Sequence, residues 1–242
     1  MKTLIPFISL AIATAAFSEE INPADVAPTA DIAGVKAAGF LSLITEDLAS
    51  WAYQSDGVDN WLVKNGILKH TGKKSLTTDL WTKEKYGDFT LVFDWRWAEK
   101  GELKGQPIVL PDGSEKLDAT GQKELIEINE LDSGVFLRGH TKSQVNLWNW
   151  SVGSGEVYGY RIDPAQSAEV KAAVTPKSRA DKPVGEWNRM LISVKGQSLT
   201  VSLNGKVVIE NAVLNEIPAE GPIGLQHHGQ ALDFANLWIK RD

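Results

Sequence analysis

Residues Leu131–Trp150 read LDSGVFLRGHTKSQVNLWNW, and this stretch decides the fold class. Apolar and polar residues alternate over Ser133–Arg138 and again over Gln144–Trp150, with a break at Gly139-His140-Thr141. The pattern predicts two strands joined by a turn. Successive side chains of a strand take opposite faces of the sheet. Phe136 and Arg138 are therefore expected on one face, with Val135 and Leu137 on the other. In the second strand Gln144, Asn146, Trp148 and Trp150 share a face, opposite Val145 and Leu147. One face is ordinary core. The other carries an arginine, amides and indoles, which suits a sugar or another polyol: rings stack on the apolar side of the ligand, and amides and guanidinium groups bond its hydroxyls.

Outward from this hairpin, short strands and turns continue in both directions. Phe89–Trp97 is the clearest strand: Phe89, Leu91, Phe93, Trp95 and Trp97 face one way, Thr90, Val92, Asp94 and Arg96 the other. A whole side of aromatic and aliphatic residues marks packing of sheet on sheet. Upstream, Phe40–Leu43 is a strand candidate, as is Ser75–Thr78. Trp61-Leu62-Val63 and Gly66-Ile67-Leu68 flank a hairpin turn at Lys64-Asn65. Glu99–Lys123 is polar and rich in Gly and Pro, and reads as a long inserted loop with a small hairpin near Ile108–Leu110. Glu124–Leu131 returns to strand. After the central hairpin come a Gly/Ser-rich loop, Ser151–Glu156, the run Val157–Ile162, and a helix over Ala165–Ala173, started by Asp163 as N-cap and Pro164. Strands at Trp187–Val194, Ser198–Leu203, Lys206–Ile209, Gly221–Gln226 and Asp233–Lys240 close the chain, with Asn204-Gly205 as a two-residue hairpin turn. Many short strands with turn signals predict an all-β sandwich of two antiparallel sheets, a jelly roll.

The bulk numbers bound the function. Lys2, the apolar run Leu4–Ala16 and small residues near Ala13–Ser18 read as a secretory signal over 1–18, and hence a secreted or periplasmic protein. The run is too short to span a bilayer, so no transmembrane segment is expected. An Ala/Pro/Asp-rich linker follows over 19–38, and a single domain over 39–242, long enough for a sizeable core. The 242 residues carry 31 Asp and Glu against 25 Lys and Arg, a net charge of −6 without a basic block, which argues against nucleic acid as a partner. The absence of cysteine excludes thiolate chemistry and zinc–thiolate sites, and leaves stability to burial. Nine tryptophans beside seven Phe and four Tyr are a high indole share, found in carbohydrate-binding β-proteins and in ordinary sandwich cores.

Several segments together resemble the 3-keto-disaccharide hydrolase domain family, a concanavalin A-like jelly roll related to family 16 glycoside hydrolases. They are Phe40–Leu43 with Trp51, Asn65–Leu68, Tyr86–Phe89 leading to Asp94-Trp95-Arg96, and Ser133–Arg138. Gly185–Asn188, Leu203–Gly205 and Gly221–Gln226 with His228-Gly229 complete the set. The resemblance covers about Gly39–Arg241. The chain departs from the family pattern in three places: Gln144 and Asn149 are amides where the family has acids, and Asp94 replaces a Glu.

The resemblance implies cleavage of glycosides oxidised to a ketone at C3. The ketone acidifies the C2 hydrogen, a base removes it, the enolate expels the glycosidic oxygen, and water adds back. This requires a base near neutral pKa, a group that stabilises the enolate, and an acid for the leaving group. His228 is the first candidate for base or acid, since histidine titrates near physiological pH. Arg96 and Arg138 are candidates to stabilise the enolate, and Asp94 to orient Arg96 or act as base. Gln144, Asn146, Trp148 and Gln226 are candidate substrate contacts, with Glu156 and Tyr158 as loop candidates. Together these residues are expected to line a groove on the concave sheet. His140 lies at a turn, His70 is expected to be exposed, and His227 to point opposite to His228. No cofactor is expected, although a structural calcium of the kind jelly rolls carry stays open. Two other readings compete. One is a non-catalytic carbohydrate-binding module, favoured by the amides. The other is a conventional glycosidase built on Glu127-Ile128-Asn129-Glu130, disfavoured because Glu127 and Glu130 face opposite ways on an unbulged strand.

Overall fold

The structure, a computed structural model, describes residues 27, 28, 30, 32–52, 60–72 and 78–242. The expected signal segment, most of the linker and residues 75–77 of the strand expected at Ser75–Thr78 lie outside the described residues. In chain order the elements are α1 (Ile32–Ala37), β1 (Leu41–Ser42), β2 (Trp61–Lys64), β3 (Ile67–His70), β4 (Leu80–Trp81), β5 (Phe89–Trp97), β6 (Glu102–Pro107) and β7 (Leu125–Glu130). They continue with β8 (Asp132–Leu137), β9 (His140–Trp148), α2 (Tyr158–Arg161), α3 (Ala168–Ala173), β10 (Asn188–Lys195), β11 (Ser198–Leu203), β12 (Lys206–Val213), β13 (Gly224–Leu225) and β14 (Leu232–Arg241).

Two antiparallel sheets make the all-β jelly-roll sandwich that the strand pattern predicts. The larger runs β12-β11-β10-β5-β14-β3-β2, with β1 also paired to β14; the smaller runs β4-β13-β8-β9. Alternation sets what lies between them. β5 turns Phe89, Leu91, Phe93, Trp95 and Trp97 inward, beside Met190, Ile192 and Val194 of β10 and Phe234 of β14. From the small sheet come Leu80, Val135, Leu137, Val145, Leu147 and Leu225, all fully buried. Burying each such side chain stabilises the fold by about 1.5–3 kcal/mol. With no cysteine in the chain, this burial replaces cross-links.

Three two-residue turns fix the strand registers. Asn65-Gly66 and Asn204-Gly205 both have positive φ at each residue, the geometry that matches strand twist in a tight hairpin. The first falls one residue later than Lys64-Asn65. The third turn is Arg138-Gly139, with φ of 50° and 70°, between Leu137 and its register partner His140. β8 therefore ends before Arg138, not at it, and β9 begins at His140, earlier than Gln144.

The inserted segment is not a loop. β6 pairs with β7 along its length, and bridges Val109–Glu115 and Leu117–Lys123 extend the pairing into a β-arm. Its residues are too polar to show apolar alternation. Backbone pairing is supplemented by charge pairs between the two sides, Lys104–Glu130, Lys116–Glu124 (2.9 Å) and Lys123–Glu115 (2.6 Å). The helix expected over Ala165–Ala173 starts at Ala168, because the Oγ of Ser167 accepts from the Val170 N–H and caps it. Asp163 instead closes a local turn by accepting from the Ala165 N–H (2.8 Å).

Candidate functional site on the outer face of the small sheet

The register of the small sheet assembles its outer face row by row. Phe136 lies opposite Gln144 on β9 and Gly224 on β13, and Gly224 opposite Trp81 on β4. The next row pairs Gly134 with Asn146, and Gln226 donates its backbone N–H to the Gly134 carbonyl (2.9 Å). The third row pairs Asp132 with Trp148. Parity puts all these side chains on the face away from the core. Trp81 and Phe136 stack, with ring centroids 5.3 Å apart.

Gly134, lacking a side chain, leaves room for a neighbour to cross the middle of this face. The Gln144 amide reaches over it and donates to Gln226 Oε1 (2.6 Å); a Cβ at Gly134 would stand 2.2 Å from Gln144 Nε2. The absent side chain lets two amides meet across an intervening strand.

Asp132 and His228 supply proton-handling groups. His228 Nε2 lies 3.7 Å from Asp132 Oδ2, with the imidazole side chain 47% exposed and the carboxylate 24%. Burial pushes the Asp132 carboxyl up to about 6, against the attraction of His228 and with a push from Glu130. Gln230, with its amide oriented to donate, bonds the carbonyls of His228 (2.6 Å) and Asp132 (3.1 Å) and ties the two segments together.

Glu156 sits behind this face. The backbones of Gly155 and Glu156 bond Asn146 on both sides, Asn146 N–H to Glu156 O (2.9 Å) and Gly155 N–H to Asn146 O (2.8 Å). The Glu156 side chain is wholly buried and pairs with Arg161 Nε, while its Oε2 and Arg161 Nη2 have no hydrogen-bond partner. Desolvation pushes Glu156 up to about 7, partly offset by Arg161 and reinforced by Glu115 and Asp132.

The residues expected to share one groove divide into three places. Gln144, Asn146, Trp148, Gln226 and His228 belong to the small-sheet face, with Glu156 and Tyr158 beside it. Trp148 is covered: Trp150 stacks on it at 4.4 Å and 5°, and Trp148 Nε1 donates to Gly153 O (2.7 Å). Asp94 and Arg96 lie instead on the outer face of the large sheet, because β5 turns its aromatic side toward the small one. There Asp94 accepts two bonds from Arg189 (2.7 and 2.8 Å) and one from Asn236 (2.6 Å). Arg96 pairs with Asp233 (2.8 Å) and stacks on Trp187. Arg138 occupies a third place. As a turn residue it leaves the strand's alternation, and its buried guanidinium donates to the carbonyls of Gly87, Gly196 and Pro218 and to Asp88.

The histidines also differ from expectation in one case. His70 is buried: its Nδ1–H donates to Gln230 O (2.8 Å), its Nε2 meets His227 Nδ1 (2.5 Å), and desolvation lowers it to about 4. His227 thus faces His70 while His228 faces Asp132, opposite directions as expected. Glu130 bonds Lys104 and Gln106 within the arm, and register puts Glu127 on the arm's other side. Sequence pattern alone gives Asp132 no prominence, although it precedes Gly134 and Phe136 at the same parity. Arg161 carried no signal, since its partner Glu156 lies in an irregular loop.

Phe136, Asn146 and Trp148 on this face are buried, and Trp81, Gln144 and Gln226 are half-buried. Surface depressions flank it: one of about 330 Å³ adjoins Gly229 and Gln230 beside His228, and one of about 740 Å³ lies past Arg161. Among the described residues, no three His, Asp or Glu side chains are grouped to hold a metal ion, and no helix is long and apolar enough to cross a membrane.

Comparison with known proteins agrees with this architecture. The chain is similar to three crystal structures of Parabacteroides distasonis ATCC 8503 proteins, each provisionally described as a glycosyl hydrolase. The first shares 22% identity, with 84% of each chain covered and a TM-score of 0.56. The second shares 17%, covering 86% of this chain and 96% of the other, at 0.55. The third shares 21%, covering 84% and 99%, at 0.51. These likenesses show the fold. No curated protein matches the chain. The family model for the 3-keto-alpha-glucoside-1,2-lyase-like domain matches residues 39–240, and the chain belongs to that family of carbohydrate-active proteins.

Proposed function

We propose that the outer face of the small sheet cleaves 3-keto-glycosides by elimination and hydration. The observation that carries this reading is the Asp132–His228 pair, 3.7 Å apart at the surface. A carboxylate whose pKa is raised to about 6 is a stronger base than an ordinary aspartate, yet is mostly ionised at neutral pH. Asp132 removes the C2 proton and the C3 ketone takes up the electron pair as an enolate. The enolate reforms the ketone as the C1–O bond breaks, with its pair leaving on the glycosidic oxygen, which His228 protonates. Water then adds its hydroxyl to C1 and a proton to C2, giving the free 3-keto sugar, while Asp132 loses its proton to solvent and His228 regains one, restoring the pair. The Gln144 and Gln226 amides, already aligned across Gly134, bind hydroxyls and donate to the enolate oxygen. Asp94, Arg96 and Arg138 serve the scaffold. The apolar run Leu4–Ala16 supports export, which N-terminal sequencing of the mature chain tests.

The test is incubation of the purified protein with a 3-keto-disaccharide and with its unoxidised parent. Monosaccharide release from the keto sugar alone, lost in Asp132→Asn, is expected. Release from the parent sugar, or release indifferent to Asp132→Asn, overturns the reading. The amides at Gln144 and Asn149 favour a second reading, a carbohydrate-binding module. Binding without release from either sugar is its signature.

A further inference from the structure

Beside Asp132 the molecule builds an aromatic corner that the chemistry above does not use. Trp148 is the register partner of Asp132, and Trp150 lies flat on Trp148. Tyr158 meets both indoles edge-on, at 5.8 and 6.2 Å, and Arg161 stacks on Tyr158 at 5.2 Å. Trp148 is sealed, but Trp150 is only half-buried and Tyr158 is 36% exposed.

Two observations mark this corner as a site instead of packing alone. First, unpartnered buried polar atoms gather there: Trp150 Nε1, Ser151 Oγ, Glu156 Oε2 and Arg161 Nη2. Buried polar groups are otherwise nearly always bonded, so such a cluster points to hydroxyls or water that complete it. Second, the inserted β-arm helps build it. Val109 of the arm packs with Trp148, Trp150 and Val152 in a small apolar cluster separate from the main core. Glu115 of the arm reaches Arg161 at 3.8 Å, and beyond Arg161 the arm and α3 enclose the depression of about 740 Å³.

We propose that the Trp150–Tyr158 corner is a leaving-group subsite for a second ring, a pyranose or another ring with an apolar face, and that the inserted arm sets this preference. The proposal rests on the reading of the small-sheet face as the cleavage centre. A 3-keto ring over Gly134, Gln144 and Gln226, with its C1 near Asp132, directs its glycosidic substituent along that third row toward Trp150. Ring stacking on an indole supplies binding that a small alkyl leaving group cannot obtain.

The experiment compares a 3-keto-disaccharide with the 3-keto methyl glycoside of the same sugar, using wild type, Trp150→Ala and Tyr158→Leu, each checked for a wild-type thermal melt. Trp150→Ala is expected to lose roughly tenfold more kcat/KM on the disaccharide than on the methyl glycoside, with Tyr158→Leu following in the same direction. Equal losses on both substrates, or none on either, overturn the subsite. Should Trp150→Ala fail to fold, Tyr158→Leu decides alone. If wild type cleaves neither keto substrate, the cleavage reading has failed separately. Calorimetric titration with the two ligands then tests the subsite: tighter binding of the two-ring ligand, abolished by Trp150→Ala, upholds it, and equal affinities reject it.

Discussion

The two outer faces of the sandwich carry similar residues and pair them differently. The large-sheet face has Asp94, Arg96, Arg189, Asp233, Asn236 and Trp187; the small-sheet face has Asp132, His228, Gln144, Asn146, Gln226 and Trp81. On the large sheet the charges satisfy each other. Asp94 is held by a two-pronged arginine and an amide, and Arg96 by Asp233 and an indole. Asn236, at a bulge of β14 with φ of 48°, also donates to Pro28 O (3.0 Å), so Pro28 rests on that face. On the small sheet Asp132 is poorly solvated, and its charge partner among the described residues is a half-exposed imidazole at 3.7 Å. Under the proposed function, reactivity follows incomplete pairing, not residue type.

The largest expected break in this comparison is Asp132→Asn. It should lower kcat/KM on a 3-keto-glycoside by about 10²–10⁴-fold while leaving the melt within a few degrees of wild type, as kinetics and calorimetry would show. Wild-type kcat/KM should rise with pH through about 6, as Asp132 loses its proton; a profile flat between pH 5 and 7 would contradict the assignment. Arg138→Ala should do the reverse. It strips donors from three carbonyls at once, so denaturant melts should show a loss of about 3 kcal/mol or more, with turnover per folded molecule unchanged. Asp94→Ala belongs to the same class with a smaller effect, about 1–3 kcal/mol, because Arg189 is half exposed and water can solvate it when its partner is gone.

Two finer tests sharpen the small-sheet side. The Glu156 carboxyl titrates near 7 in the fold against 4.5 as a free group. Between these values the folded chain holds more proton than the unfolded one, so this group's contribution to stability falls as pH rises through the window and is constant outside it. The stability of Glu156→Gln relative to wild type should therefore increase from below pH 4.5 to above pH 7, in paired urea melts. The smallest change is Gly134→Ala. Its methyl group displaces the Gln144 amide from Gln226, and should raise KM by a few-fold for about 1 kcal/mol of lost hydrogen bonding.

Fold was more legible in the sequence than site. Alternation is read directly from side-chain chemistry, so β5, β8 and β9 and their inward faces follow from the sequence, as do the Asn-Gly turns. Polar pairing hides from that rule, which is why the arm reads as a loop until its backbone bonds and charge pairs are seen. Site residues were misplaced for two physical reasons. Parity says which residues of one strand share a face, but not which of the sandwich's two outer faces it is, and Asp94 and Arg96 stand on the large sheet, not on the expected one. Parity also fails once a strand ends, and Arg138, at φ of 50°, is the first residue beyond β8. Asp132 was within reach, two residues before Gly134, but its value lies in burial and in His228, which approaches from nearly a hundred residues away.

The most direct test of the central claim is the fate of the C2 hydrogen. A 3-keto-disaccharide is cleaved in D2O, and the released 3-keto sugar is read by NMR at early times against an enzyme-free control. Elimination and hydration at the Asp132–His228 pair predict one deuterium at C2 per product molecule, with both cleavage and labelling lost in Asp132→Asn. A cleaved product that keeps its C2 hydrogen would mean direct displacement at C1, and would contradict the account.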